Sequence, residues 1–447
     1  MNVLNRLDTS LRVRGGHRLE GSVETHGSKN AALPIMAAAL LARSPVTLHR
    51  VPRITDVSVM CSLLEALGAR LHQDGPGTLT IDPSNVGNVR APYTLVRKLA
   101  ASFDLVGPLL GRFGRAEVPL PGGCILGTRA TDMHEQAFRA LAADVSNAHG
   151  YLIATARHGR LRGATIDFRM PSVGATKNAM LAAVLAHGTT RLNNVAMEPE
   201  VVDLAGFLAA MGAKIAGQGT DTIVIEGVEA LHGVEYEIIP DRIVAGTLAI
   251  AGAATRGDVT IASSNPRHLD ALLATLRECG AEISEGSDWF RVRGGGIRGG
   301  TAIMTAPYPG FPTDLQPQMV SFLCTCSDTN VVEETIFNAR FSYVNELARM
   351  GADVRIDNNK ALVRGGLPLS GAPVEAPDIR AGAGLVVAGL VASGETDIIG
   401  LEFIDRGYER LEEMLSALGG QVQRASGVAP LREPAGTFET LAYPKVV

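Results

Sequence analysis

Two kinds of apolar segment alternate along the chain. In the first kind, apolar residues run almost all round a helical wheel: AALPIMAAALLA from Ala31, LVGPLLGRF from Leu105, NAMLAAVLA from Asn178, IVAGTLAIAGAA from Ile243, QPQMVSFLCTC from Gln316 and GAGLVVAGLVA from Gly382. Helices of that pattern are expected to be buried on every side. The second kind keeps charges on one side and ends in a short signature, as in LLEALGARL, FLAAMGAKI, LLATLRECGAEI and ELARMGADV. These predict outer helices, each followed by two strands. The signature recurs at Leu67, Leu141, Met211, Cys279, Met350 and Leu418, at intervals of 68–74 residues. The chain is therefore a repeat of roughly 70 residues, six times over. Several repeats open on a short alternating strand, in EGSVETH, RGATIDF, EYEIIP, GTAIMTAP and SGAPVEAP.

One unit reads strand, buried helix, strand, outer helix, strand, strand, a βαβαββ order. Alone it cannot cover its apolar helix. Three units packed helix-inward make a domain of about 200 residues with sheets outside, and two such domains use up the chain. The expected division is residues 29–238 for one domain, 1–28 with 239–425 for the other, and a tail at 426–447.

Composition narrows the class. The 447 residues are 46% hydrophobic and 19% charged, with a net charge of −5 and no long block of one sign. A general nucleic-acid binder would be more basic. Five cysteines (Cys61, Cys124, Cys279, Cys324, Cys326) form neither a CxxC pair nor a disulfide framework. Cys324 and Cys326, two apart, are expected on different faces of a helix, which argues against a metal pair. The first residues, MNVLNRLDTSLRVRGG, lack an apolar signal core. The longest apolar run has about 12 residues, against the roughly 20 needed to span a bilayer. The expectation is a soluble, cytoplasmic protein with no metal, cofactor, membrane or nucleic-acid partner.

Charged residues recur where a strand meets a buried helix, at Lys29, Asp241 and Arg242, Asp314, and Asp378 and Arg380, and the uncharged Ser172 and Gly174 hold the same place in the third unit. Helix N-termini offer free N–H groups and favour anions. Together with Arg129, Arg340 and Arg406, these make a set suited to phosphate and carboxylate, since a guanidinium fork fits either oxyanion. Plainer readings stand beside this one. A lone basic residue at such a junction is usually a surface charge. Asp378 and Asp405 fit helix caps or ion pairs. His134 fits a structural hydrogen-bonder, and Cys61, Cys279, Cys324 and Cys326 fit the core. Cys124 differs: VPLPGGCILGTR presents it on a glycine-rich loop near Arg129, a cationic setting that favours a reactive thiolate.

With SKNAALP, PGGCILGTRATDMH, SVGAT, GQGTDTIVIEGV, PDRI, FPTDLQPQ, ARF, RMGA, DIRA and IDRGYER in place, the chain resembles the bacterial UDP-N-acetylglucosamine enolpyruvyl transferases (1-carboxyvinyltransferases) over residues 11–425. The resemblance implies two inside-out, barrel-like α/β domains of three units each. It implies transfer of the carboxyvinyl group of phosphoenolpyruvate to an acceptor hydroxyl, with loss of phosphate, as the first committed step of peptidoglycan synthesis. By residue, it implies that Lys29, Arg129 and Arg406 hold the phosphate and that Arg340 and Arg380 hold the carboxylate. Asp314 is the general base, and Cys124 is the general acid, open to a covalent adduct and to alkylation by fosfomycin. Asn30 and Asp378 support the reacting centre, with His134 nearby. Ser172, Val173 and Gly174 meet the nucleotide diphosphate; Thr131, Asp132 and Met133 meet the uracil; and Ile336 also lies on the acceptor side. The implied partners are these small molecules, for a monomer or weak homo-oligomer.

Departures from the family pattern fall on the acceptor side: Ala100 and Asp104 in AASFD, ATDM after Arg129, Met197, Val244 and Phe403. Asp104 for an apolar residue and Ala100 for an arginine are expected to remove about two charge units of attraction for a nucleotide diphosphate. Two further readings therefore accompany the first. One is the same reaction on another uridine nucleotide, such as the 3′-hydroxyl of UMP, in nucleoside-antibiotic biosynthesis. The other is a non-catalytic nucleotide-binding regulator.

Overall fold

The structure, a computed structural model, describes residues 9–120, 131–337 and 339–426. Six helices are buried nearly all round: Lys29–Ala38, Val106–Phe113, Val173–Ala183, Arg242–Ala254, Gln316–Leu323 and Ile379–Val391. They sort into two separate cores. One spans Ala31 to Ile238; the other joins Leu11–Val23 to Ile243–Val422. Small residues let the helices touch. A Cβ on Gly107 would sit 2.7 Å from both the Leu181 Cβ and the Asn178 carbonyl oxygen, so only glycine fits there. Each leucine buried in this way contributes about 1.5–3 kcal/mol.

The six repeat anchors fall at one structural place. Leu67 is the last residue of the Thr55–Leu67 helix, and Leu141, Met211, Cys279, Met350 and Leu418 each follow the last turn of an outer helix. All six are fully buried. The next residue turns the chain at positive φ: Gly68 (107°), Ala142 (65°), Gly212 (103°), Gly280 (94°), Gly351 (91°) and Gly419 (86°). A left-handed residue just past a helix end closes its last carbonyls and starts the strand pair. The repeat is thus a repeated helix stop pinned by one apolar side chain.

Among the described residues the strands form six sheets, five of four strands and one of three. Two sheets depart from the order read in sequence. The strand Glu20–Glu24, which precedes the first buried helix, runs parallel to Asp258–Ala262 in the other half. The strand Glu235–Glu237, which precedes the fourth, runs parallel to Val46–His49. Each half therefore borrows its opening strand from the segment leading into its neighbour. The two crossing segments also bond to each other, Asp241 N–H to the His26 carbonyl at 2.9 Å and Ser28 N–H to the Ile239 carbonyl at 2.8 Å. The last unit is closed by the start of the chain: Thr9–Arg14 lies between Glu395–Ile399 and Gln421–Ser426, antiparallel to both. The expected tail begins within this sheet, at Ser426, and otherwise lies outside the described residues.

Smaller corrections concern the cysteines. Cys61 is only half-buried. Cys324 caps the end of the 316–323 helix and Cys326 lies beyond it, so the two never share a helix. No described helix is long and apolar enough to cross a membrane.

Candidate functional site

The junction residues converge where the two halves meet. Lys29 opens its helix, and its backbone N–H is held at 2.9 Å by Asp241 Oδ2. The other oxygen of Asp241 caps the Arg242–Ala254 helix, accepting from Ile243 and Val244 N–H. One carboxylate thus fixes the first turn of a helix in each half.

A second carboxylate, Asp56, organises the cations. It sits in the first turn of the Thr55–Leu67 helix, essentially without exposure. Lys29 Nζ reaches Oδ2 at 2.7 Å and Arg406 Nε reaches Oδ1 at 2.8 Å, the arginine coming from the opposite half. Burial pulls the Lys29 ammonium below the usual lysine value; Asp56 opposes this, and Arg380 and Arg406 add to it. Sequence reading missed Asp56, because ITDV carries no signal beyond an ordinary acidic first turn.

Asp314 is the centre of the other group. Arg340 Nη1 donates to Oδ1 at 3.0 Å, and Arg380 Nη2 and Asn30 Nδ2 donate to Oδ2 at 3.1 and 3.3 Å. Burial alone would lift this carboxyl, but the charges of Arg380 and Arg340 outweigh it and hold the group well below the usual carboxylate range. Neither arginine is spent. Arg340 Nε and Arg380 Nη1 are buried with no hydrogen-bond partner among the described residues. Unpaired guanidinium N–H groups inside a protein are costly and suit an incoming oxyanion. Asp378 does not touch this group directly. It caps the Ile379–Val391 helix, accepting from Arg380 and Ala381 N–H at 2.8 and 3.0 Å, and so aims Arg380.

The residues expected on the acceptor side form a second set, most of it around one helix end. Ser172 caps the Val173–Ala183 helix by accepting from Ala175 N–H at 3.3 Å, and Val173 and Gly174 are its partly exposed first residues. A Cβ on Gly174 would lie 3.2 Å from the His134 ring, so the glycine lets that ring pass under the helix end. His134 is held edge-on to Phe103, and its Nδ1 meets Asn178 Nδ2 at 3.1 Å. Asn178 Oδ1 accepts from Gly107 N–H, so its amide nitrogen faces the imidazole. Nδ1 is then the acceptor and Nε2 carries the proton. Burial lowers the His134 pKa to about 4, so the ring is neutral at pH 7. Thr131 bonds Glu135 at 3.0 Å, Asp132 pairs with Arg169, and Met133 is buried. Ile336 presents its N–H inward, to Glu334 at 2.8 Å. Cys124 and Arg129 lie outside the described residues.

One expectation is overturned here. Asp104 does not add a free negative charge. It is buried and bonded at 3.0 Å to Lys177, which is also buried, 73 residues along the chain. The two charges cancel where they stand. Among the described residues, no group of three or more His, Cys, Asp or Glu is placed to hold a metal ion.

Comparison with known proteins agrees with this geometry. The family profile of EPSP synthase (3-phosphoshikimate 1-carboxyvinyltransferase) matches residues 13–415. The chain is 48% identical over 427 residues to a UDP-N-acetylglucosamine 1-carboxyvinyltransferase of Gloeobacter violaceus, covering 95% of this chain and 93% of that one. It is 46% identical over 413 residues to UDP-N-acetylglucosamine 1-carboxyvinyltransferase 1 of Carboxydothermus hydrogenoformans, covering 92% and 97%. Among solved structures, the enolpyruvyl transferase NikO from Streptomyces tendae superposes with a TM-score of 0.84 at 28% identity, over 94% of this chain and all of that one. EPSP synthase from Acinetobacter baumannii, at 17% identity, shares the fold with a TM-score of 0.73, over 94% of this chain and all of that one. On the match of nearly its whole length, the chain belongs to the EPSP synthase (3-phosphoshikimate 1-carboxyvinyltransferase) family, and it is an enolpyruvyl transferase.

Proposed function

We propose that the protein transfers the carboxyvinyl group of phosphoenolpyruvate to a hydroxyl of UDP-N-acetylglucosamine and releases phosphate. The observation that carries this reading is the cross-domain cation group with two buried guanidinium N–H groups left unpaired beside Asp314. The near-full-length identity to enzymes of that name supports the acceptor. So does the Lys177–Asp104 pair, which removes the Asp104 half of the charge objection to a nucleotide diphosphate and leaves the half that rests on Ala100.

In this reading Lys29, Arg129 and Arg406 bind the phosphate, and Arg340 and Arg380 bind the carboxylate through their unspent N–H groups. Cys124 protonates the methylene carbon, and C2 gains oxocarbenium character. The acceptor oxygen bonds to C2 as Asp314 takes its proton. The Cys124 thiolate then takes back a C3 proton as the C2–O bond to phosphate breaks, which leaves the enol ether and free phosphate. A carboxylate held so far below the usual range is a weak base by itself. The substrate carboxylate, on reaching Arg340 and Arg380, offsets their charge and raises the basicity of Asp314 only once the donor is bound. The 173–183 helix end, with Ser172, Val173 and Gly174, takes the diphosphate; Thr131, Asp132 and Met133 take the uracil, with Asn30, Ile336, Asp378 and His134 in support. The domain division at 28/29 and 238/239 belongs to the same reading. One chain supplies every residue named, so a monomer suffices, and the substrates are those of the cytoplasm.

The test is turnover of the purified protein with phosphoenolpyruvate and UDP-N-acetylglucosamine, UMP, uridine or shikimate 3-phosphate, followed by phosphate release and product mass. Release with UDP-N-acetylglucosamine is expected. Release with UMP alone would reassign the acceptor, and no release with any of them would favour the regulator.

A further inference from the structure

Glu334 lies outside every role given above, yet it is among the most heavily bonded side chains near the site. It is 1% exposed. Oε1 accepts from Thr305 Oγ1 at 3.0 Å, Ile336 N–H at 2.8 Å and Phe337 N–H at 3.0 Å; Oε2 accepts from Thr313 Oγ1 at 2.9 Å. The hydroxyl directions are fixed by their other partners. Thr305 Oγ1 accepts from Thr335 N–H at 2.9 Å, and Thr313 Oγ1 accepts from Arg340 Nη1 at 2.8 Å. Each hydroxyl therefore has its own proton left for the carboxylate.

The second of these contacts leads into the site. Arg340 Nη1 has two protons. One goes to Thr313 Oγ1, the other to Asp314 Oδ1 at 3.0 Å. With Nη1 committed, Nε is left buried and unpaired. Thr313 holds Arg340 best while its hydroxyl proton points away from the guanidinium, and Glu334 Oε2 is the acceptor that keeps it there. The same carboxylate holds the backbone at Ile336 and Phe337, and the Phe337 ring stacks under the Arg340 guanidinium at 4.8 Å.

We propose that Glu334 is a positioning residue for the transfer reaction: acting through the Thr313 hydroxyl, it commits one nitrogen of Arg340 to Asp314 and leaves the Nε edge open for the carboxylate of the donor. This rests on the roles proposed above for Arg340 and Asp314.

Glu334→Gln tests the direction of the bond rather than the packing. The amide keeps an oxygen for Thr305, Ile336 and Phe337, while the NH2 in place of Oε2 donates to Thr313 and turns its proton away. Thr313→Val removes the relay at its middle, and Thr313→Ser keeps it. Steady-state kinetics in phosphoenolpyruvate are measured with a saturating acceptor, together with thermal melting. We expect kcat/KM for phosphoenolpyruvate to fall about tenfold in E334Q and T313V, chiefly through KM, as for one buried hydrogen bond lost. T313S stays within about twofold of the starting protein, and E334Q/T313V is no worse than either single change. Losses confined to kcat in step with a lower melting temperature, or losses that multiply in the double variant, would overturn the relay. Calorimetric titration with phosphoenolpyruvate alone separates the two readings. If the unaltered protein turns over no acceptor yet binds phosphoenolpyruvate more tightly than E334Q does, the reaction assignment fails and the relay stands. Equal binding overturns the relay whatever the reaction.

Discussion

Asp314 and Asp104 are both carboxylates paired with basic side chains inside the protein, and they differ in what their partners have left over. Asp104 and Lys177 are shut away together, and no polar atom of either is buried without a partner. Asp314 keeps about a quarter of its side chain exposed, and its two arginines each bury an N–H with nothing to receive it. The first arrangement is closed and inert. The second keeps unused hydrogen-bond donors, which in the proposed function a carboxylate substrate meets. Buried charge alone does not mark a site; unused donor capacity beside it does.

The contrast is open to direct attack. Asp314→Asn removes a proton acceptor and keeps the shape, so kcat is expected to fall a hundred- to ten-thousandfold, as for loss of a general base. The folded fraction, read by circular dichroism, should be retained. A drop below tenfold in kcat would erase the difference between the two carboxylates. Lys177→Met strands Asp104 without its partner, and unfolding by denaturant should show a loss of about 3–5 kcal/mol. Pairing it with Asp104→Leu should restore most of that. A double variant as unstable as the single one would show that the pair does more than neutralise itself.

Acid provides a third handle on the Asp104 side. His134 lies within reach of the charges of this pair, and burial brings its pKa to about 4, below the ordinary 6.5. Above pH 6.5 the ring is neutral in folded and unfolded chains alike. As pH falls from 6.5 to 4 the unfolded chain binds the proton first, so stability drops across that window by about 3 kcal/mol and then levels off. His134→Gln should flatten the profile, and an unchanged profile would remove the ring from the account. The smallest effect belongs to Asp378, on the Asp314 side. Asp378→Ala should cost about 1 kcal/mol of stability through the lost helix cap, while Asp378→Asn, which still accepts, should cost only a few tenths. Equal losses would mean that its charge, rather than its cap, matters to Arg380.

Much of this was legible in the chain. The repeat was readable because one apolar residue and one turn residue recur at every outer-helix end, a signal local enough to survive without structure. Lys29, Asp314 and Arg380 stood out because each marks the start of an apolar helix. What could not be read depends on distance. The expected division puts Glu20–Glu24 with residues 239–425 and Glu235–Glu237 with residues 29–238, but nothing near either strand names its partner, since both alternate like every other opening strand. Asp104 looked like a lost attraction because its neutralising lysine lies 73 residues away. Asp56 and Glu334 have no distinctive neighbours, and only the fold brings Arg406 to one and Thr313 to the other.

The placement of Thr9–Arg14 between Glu395–Ile399 and Gln421–Ser426 has a consequence for how the molecule is made. A ribosome delivers the first strand long before either neighbour exists. At about 5–20 residues per second, it waits on the order of 20–80 s for residue 395 to appear. The half built on residues 31–238 has all its strands once Glu237 has emerged, and can close while the rest is still being translated. The other half cannot close until residue 426 has been added. Truncating the chain before Gln421 would therefore leave the early strand with one edge unpaired, and truncating it before Glu395 would leave it with no edge to join.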